Sequence, residues 1–433
     1  MFHTFIRLQF LFVLLAICSV SLGAAPAVLT TLDNGVRVIV QEDHSTNLVA
    51  ADVWVKAGSV NETSADNGVS HFIEHLAFKC TGKRGAGQID MEIESLGAGI
   101  EARTSRDWTH FYTTVASRYL DKALDILADV VTNPKFREED IEKERGIILE
   151  EISRDKSDPW RLLRDSLFAT AFTSHPYKYP VAGSAESVSK ISQDTILAFY
   201  NAYYVPSNIT VVLVGDITKA DGVAAARKAF GGFKKSSTRR ADVPVEPARE
   251  QQVRKNITMP TNLAYLAIGF PAPAITEKPD VYAMDVLISY LGVGYRSWIM
   301  SELKTKRGLI SSGESSFLTQ KYPGIASINV SCEPGKLKEV EDAIFAHIAE
   351  IRTKPISDIE LTAAKRSLEA EFAFNNETFE GRANSLGFYD SIDSYEIALN
   401  YVQNIRKVTA EDVLAVAKKY MDSNKSVVVT IGR

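Results

Sequence analysis

Apolar and polar positions alternate with a period of two through the opening of the chain. Val28-Leu29-Thr30-Thr31-Leu32 and Val36-Arg37-Val38-Ile39-Val40 flank Asp33-Asn34-Gly35. An Asn-Gly pair between two such runs predicts a tight β-hairpin. Val49 to Lys56 alternates again, with Val53 and Val55 on one face and Asp52, Trp54 and Lys56 on the other. The pattern turns helical over residues 65–79, then extended, Thr-rich and aromatic from Ile100 to Ala116. Leu120, Ala123, Leu124, Leu127 and Val130 recur at helical spacing across Tyr119 to Val131. A second, strongly charged helix is predicted from Glu138 to Arg154.

The first half closes on DTILAFYNAYYVPSNITVVLVG, residues 194–215, and the chain ends on EDVLAVAKKYMDSNKSVVVTIG, residues 411–432. Leu197 aligns with Leu414, Tyr203 with Tyr420, Val211 and Val212 with Val428 and Val429, and Gly215 with Gly432, without a gap. Self-similarity in constant register points to a duplicated domain of about 215 residues. Lys234 to Glu250 is polar, carries Pro244 and Pro247, and reads as a linker. The expected organisation is a targeting segment at 1–23, a first domain at 24–233, a linker at 234–250 and a second domain at 251–433.

Composition narrows the class. A chain of 433 residues exceeds one ordinary core, and 45% hydrophobic with 24% charged residues is a globular balance. The net charge of -5 gives no electrostatic footprint for nucleic acid. At the N-terminus, Arg7 precedes an apolar run from Leu8 to Val20, and Ser21-Leu22-Gly23 places small residues at a cleavage site. This is the pattern of a secretory signal peptide, with mature protein starting near Ala24 and no stable membrane span after cleavage. Ile17 before Cys18 argues against lipidation. Cys80 and Cys332 remain and form no disulfide framework, which suits a bacterial periplasmic protein.

The chemistry concentrates in His71-Phe72-Ile73-Glu74-His75. Two histidines four apart share one helix face, and Glu74 projects beside them. This H-x-x-E-H order is a zinc-peptidase motif. A hydrolytic zinc takes three protein ligands and leaves a fourth position for water. His71 and His75 supply two; Glu74 is placed as general base. The carboxylate-rich stretch Glu138 to Glu151 offers the third ligand. Glu144 and Glu151, two turns apart, share a face with Ile147 and Ile148 between them, whereas Glu138, Glu139 and Glu142 read as a solvated face. Spacing leaves Glu150 and Glu151 equally eligible. A structural zinc would be closed by four ligands, often cysteine, and no such set is visible. His44, His110, His175 and His347 carry no separate signal, although His110 lies in the extended segment near the motif.

GVSHFIEHLAFKCTGKR at 68–84 followed by EKERGIILEEI at 142–152 resembles the pitrilysin-type (M16) zinc peptidases, the group with mitochondrial processing peptidase and insulin-degrading enzyme. LDNGVRVIV, TSRDWTHFY, HPYKYPVAG and SELKTKRGL extend the resemblance over essentially the whole mature chain. It implies an α+β protein of two homologous α/β-roll domains, each a mostly antiparallel sheet flanked by helices. By position it implies one zinc per chain on His71, His75 and Glu151, Glu74 as the base, and Glu144 as a supporting acid. It further implies that unfolded peptide adds as a strand to a sheet edge at Gly99 to Ser105. The activity implied is zinc-dependent endopeptidase action on peptides or unfolded segments; the competing reading is a non-catalytic or assembly subunit.

Four positions depart from the family pattern. Cys80 and Glu101 replace a usual Gly and Asn. Where single-chain active members hold substrate with an Arg and a Tyr, this chain has Trp298, which reads as a packing residue, and Ser311; Arg296 is nearby. Some bacterial members divide the work between a zinc-bearing subunit and an Arg/Tyr-bearing one. The resemblance therefore implies a heterodimer with a homologous partner, with a homodimer as the weaker alternative.

Overall fold

A computed structural model describes residues 26–236 and 242–433. The expected targeting segment, 1–23, lies outside the described residues, as does the middle of the expected linker. The first unit contains β1 (Val28–Thr31), β2 (Arg37–Glu42), β3 (Leu48–Val55), β4 (Glu101–Thr104), β5 (Thr109–Ala116) and β6 (Ile209–Gly215). Its helices are α1 (Val69–Ala77), α2 (Gln88–Ser95), α3 (Leu120–Thr132), α4 (Glu138–Ser157), α5 (Pro159–Ala171), α6 (Ala185–Val188), α7 (Gln193–Tyr203) and α8 (Lys219–Phe230). The second unit contains β7 (Val253–Thr258), β8 (Ala264–Ala272), β9 (Ser312–Phe317), β10 (Gly324–Cys332) and β11 (Val427–Gly432). Its helices are α9 (Lys278–Gly292), α10 (Leu337–Ile351), α11 (Asp358–Asn375), α12 (Phe379–Ile392), α13 (Glu396–Lys407) and α14 (Ala410–Tyr420).

The hairpin expected around Asn34-Gly35 is present. β1 pairs antiparallel with β2 from Val28↔Val40 to Thr31↔Arg37, and Gly35 supplies the left-handed residue at φ 104°. The first sheet runs β1-β2-β6-β3-β5-β4 and the second β7-β11-β8-β10-β9. Each holds one parallel pair, β2 with β6 and β7 with β11, and is otherwise antiparallel. Apart from β1 the two sheets have the same strand order. The repeated sequence folds as repeated structure: α7 leads into β6 and α14 into β11. The molecule is thus α+β, with two related units each built on a mixed sheet flanked by helices.

Both faces of each sheet are buried, and the cover is shared. On the inner face of the first sheet Val53 and Val55 pack with Phe72, Leu76, Leu124 and Leu127 from its own helices. On the outer face Ile39, Ala50, Trp54, Val212 and Val214 meet Ala383 and Leu386 of α12, which belongs to the second unit. Reciprocally, Leu163, Leu167 and Ala171 of α5 cover Ala267, Ile325, Val427, Val429 and Ile431 of the second sheet. Glycines make both approaches possible. A Cβ on Gly387 would fall 2.0 Å from Trp54 Nε1, and one on Gly269 would fall 2.9 Å from Leu167 Cδ1. The α12 junction is also charged: Asp390, with no exposed side-chain surface, receives Arg37, Lys56 Nζ at 3.0 Å and Thr210 Oγ1 at 2.8 Å. The described part of the stretch between the units is anchored. Glu246 accepts from the backbone N–H of Thr173, Ser174 and His175 at 2.7–2.8 Å.

Candidate active site

The motif helix is shorter than the pattern predicts, Val69–Ala77 rather than 65–79, because a turn ends on Gly68 at φ 97°. A Cβ there would meet Ala182 O at 2.9 Å, so the helix start is pressed against the loop that ends at Gly183. Glu62 supplies the missing cap. Its buried carboxylate accepts from Gly68 N at 2.8 Å, Ser70 N at 2.9 Å, Asn67 Nδ2 at 2.9 Å and the Ser70 hydroxyl. By accepting from these donors Glu62 satisfies the N–H groups at the helix start, which no side chain within the helix does. Val69, Phe72, Ile73 and Leu76 then sink into the core, and the opposite face presents His71, Glu74 and His75.

α4 crosses that face. Ile141, Ile148 and Ile152 anchor it in the core, whereas Glu138, Glu139 and Glu142 are exposed. Glu151 Oε2 lies 3.9 Å from His71 Nε2 and 3.9 Å from His75 Nε2, while Glu150 is exposed. One donor atom from each of His71, His75 and Glu151 lies within 4.8 Å of the others, the one such histidine, cysteine and carboxylate grouping among the described residues. Donors of a tetrahedral zinc stand roughly 3.3–3.6 Å apart, so the two distances from Glu151 to the imidazoles need to contract by only a few tenths of an ångström. Two imidazoles and one carboxylate are a hydrolytic zinc set, and the residues present fit the ion.

The surrounding groups suit that use. Glu144 stands behind the cluster: its Oε2 is 3.0 Å from His75 Nδ1 and its Oε1 receives Lys79 Nζ at 2.8 Å. A carboxylate on the far ring nitrogen orients a ligating imidazole and raises its basicity. His71 has no such support: its buried Nδ1 has no hydrogen-bond partner among the described residues. Burial, then the charge of His75, pushes His71 down to about 3, which keeps its ring neutral and able to ligate. Glu74 accepts from Thr104 Oγ1 at 2.5 Å. Burial raises its carboxyl above the usual range against the pull of that hydroxyl, the direction that makes a better base near neutral pH.

Thr104 belongs to β4, the edge of the first sheet, so the free strand edge at Glu101–Thr104 runs beside the motif helix. Ala102 pairs with Phe111 of the inner core, which puts Glu101 and Arg103 on the other face. Tyr112 OH donates to Glu101 Oε2 at 2.5 Å. His110 stays outside the cluster; its Nε2 is 3.0 Å from Asp52 Oδ2, and its ring stacks between Trp54 and Tyr112. Cys80 and Cys332 are buried free thiols. Trp298 stacks on His347 at 4.1 Å between ring centroids, while Arg296 and Ser311 are exposed. Thr104, Lys79 and Glu62 carry no sequence signal, because their partners are reached through the fold.

Comparison with known proteins adds the following. The family described as "Insulinase (Peptidase family M16)" matches residues 37–185, and "Peptidase M16 inactive domain" matches 190–368. A Streptomyces coelicolor protein named an uncharacterized zinc protease is 29% identical over 92% of this chain and 88% of its own. An uncharacterized zinc protease of Mycobacterium tuberculosis is 30% identical over 90% of this chain and 89% of its own. The crystal structure of a protease from Helicobacter pylori superposes with a TM-score of 0.91 at 25% identity, over 95% of this chain and 100% of that one.

Proposed function

Since the chain belongs to peptidase family M16, we propose that it is a zinc-dependent endopeptidase acting on peptides or unfolded polypeptide segments. The observation that carries this reading is the close approach of His71, His75 and Glu151 beside a half-buried, base-like Glu74. His71, His75 and Glu151 would hold one zinc ion. When bound, the ion supplies Lewis acidity towards the scissile carbonyl and acidifies water at its open position. Glu74 takes the proton from the attacking water and delivers it to the departing amine, so that one water adds across one peptide bond. Thr104 aims the Glu74 carboxylate, and Glu144 aims the His75 ring. The substrate pairs with β4 as an added strand, which places its backbone across the motif helix.

Residues 1–23 would serve as a signal peptide carrying the chain to the bacterial periplasm. With Trp298 engaged on His347 and Ser311 at the position of the family tyrosine, substrate clamping falls to a homologous partner subunit bearing an Arg/Tyr pair. The test is to express the mature chain with and without the partner, measure bound zinc, and assay a mixed peptide library before and after chelation. Stoichiometric zinc with chelator-sensitive cleavage supports the reading. A zinc-loaded pair that cleaves nothing favours the assembly-subunit alternative, and full activity of the isolated monomer removes the partner.

A further inference from the structure

The second unit repeats the first closely enough to locate the counterpart of the catalytic cleft. Val53 of β3 lies between Val211 and Phe111, as Ile268 of β8 lies between Val428 and Ile328. One strand further out, Phe111 pairs with Ala102 and Ile328 with Ser315. Counted from their helix starts, Glu144 and Glu151 of α4 hold the places of Ala364 and Glu371 of α11. Across the first pair of helices His75 meets Glu144; across the second, Ser289 Oγ donates to the Ala364 carbonyl at 3.0 Å. Ser289 is therefore the counterpart of His75, Asp285 of His71 and Ile288 of Glu74. Both imidazoles and the base are replaced, so this cleft cannot repeat the hydrolysis.

The cleft itself persists. A cavity of about 420 Å³ opens there, walled by Asp285, Glu371, Phe372, Phe388, Tyr389 and Tyr401. Tyr401 OH donates to Asp285 Oδ2 at 3.0 Å. Enclosed by these walls yet open to the cavity, the Asp285 carboxyl is pushed up to about 7 by burial, and its charged neighbour is a second carboxylate, Glu371. Several enclosed carboxylates have a cation: Asp390 has Arg37 and Lys56, Asp129 has Arg84, Glu341 has Arg254 and Glu144 has Lys79, whereas Glu62 is satisfied by four N–H and O–H donors instead. Half-buried Asp285 has neither an ion pair nor a second hydrogen-bond donor among the described residues, which leaves its outward oxygen to whatever enters the cavity. Aromatic walls around it add faces that attract a cation.

We propose that this cleft binds the guanidinium or ammonium head of a basic side chain, with Asp285 as its counter-ion. Resting on the peptidase reading, the side chain is one carried by bound peptide, so the second unit selects substrates with a basic residue away from the cut. The experiment is calorimetric titration of the full mature chain with Nα-acetyl-arginine amide, its neutral isostere Nα-acetyl-citrulline amide, and spermidine. The arginine probe should bind at least tenfold more tightly than citrulline, and Asp285→Asn should weaken it at least tenfold. Binding should survive chelation and Glu74→Gln, so a failed zinc reading would leave this result standing. Equal binding of the arginine and citrulline probes overturns the proposal without any variant. So does undiminished binding by a folded Asp285→Asn protein, and binding of spermidine alone removes the peptide as source.

Discussion

At the residue scale the proposed zinc site distinguishes groups that would hold the ion from groups that would act beside it. On the proposed mechanism Glu74→Gln removes the base and no ligand. It should keep bound zinc within measurement error while turnover falls by about 10²–10⁴; zinc lost in proportion to activity would show instead that Glu74 helps hold the metal. Glu144→Gln should leave Glu151 in place but free the His75 ring, weakening zinc about 10–100-fold in a chelator competition. His71, His75 and Glu74 were legible in the sequence because four-residue spacing on one helix states their geometry in full. Spacing alone did not separate Glu150 from Glu151, and the family resemblance chose Glu151; in the fold the packing of Ile148 and Ile152 turns that residue inward. Thr104 and Glu62 were invisible, for their roles exist only once strand edge and helix start are brought together. His175 provides a pH test. Burial pushes it down from 6.5 to about 4, so between those values the unfolded chain binds a proton that the folded chain refuses. Its contribution to stability is complete above about 6.5 and lost towards 4, and His175→Gln should flatten the fall in urea midpoint between pH 7 and 5 relative to wild type.

At the scale of elements, most strands and helices follow from periodicity: the Asn-Gly hairpin, β3 with its two faces, α3 and α4. The sequence misplaced the start of α1, where Glu62 and Gly68 rather than a local cap set the boundary. It was silent on what α5 and α12 cover. Leu163, Leu167 and Ala171 recur at helical spacing, which announces an apolar stripe but not that its partner is a sheet made later in the chain. Asp390 holds the α12 junction between two cations with no exposed surface of its own. Asp390→Ala leaves Arg37 and Lys56 facing an uncompensated site and should cost about 3–5 kcal/mol. Denaturant unfolding would register this as a lower midpoint. A change below ~1 kcal/mol would mean that the junction is held by Trp54 and its apolar neighbours alone.

At the scale of the molecule, each unit finishes the other. Residues 26–236 alone would leave Trp54, Val212 and Val214 without Ala383 and Leu386, and residues 242–433 would leave Val427 and Val429 without Leu163 and Leu167. Neither fragment should give a sharp thermal transition by itself. Mixed during refolding, the two should recover one cooperative transition, and two independent transitions in the intact chain would contradict the shared cover. The order of synthesis adds a consequence. A chain that emerges N-terminus first completes the first sheet at Gly215 but gains its outer cover only when α12, from Phe379 onward, has been made. The strand edge beside the motif helix therefore stays on an open, sticky sheet through much of translation, and the nascent chain is a natural client for chaperones until the last helices arrive.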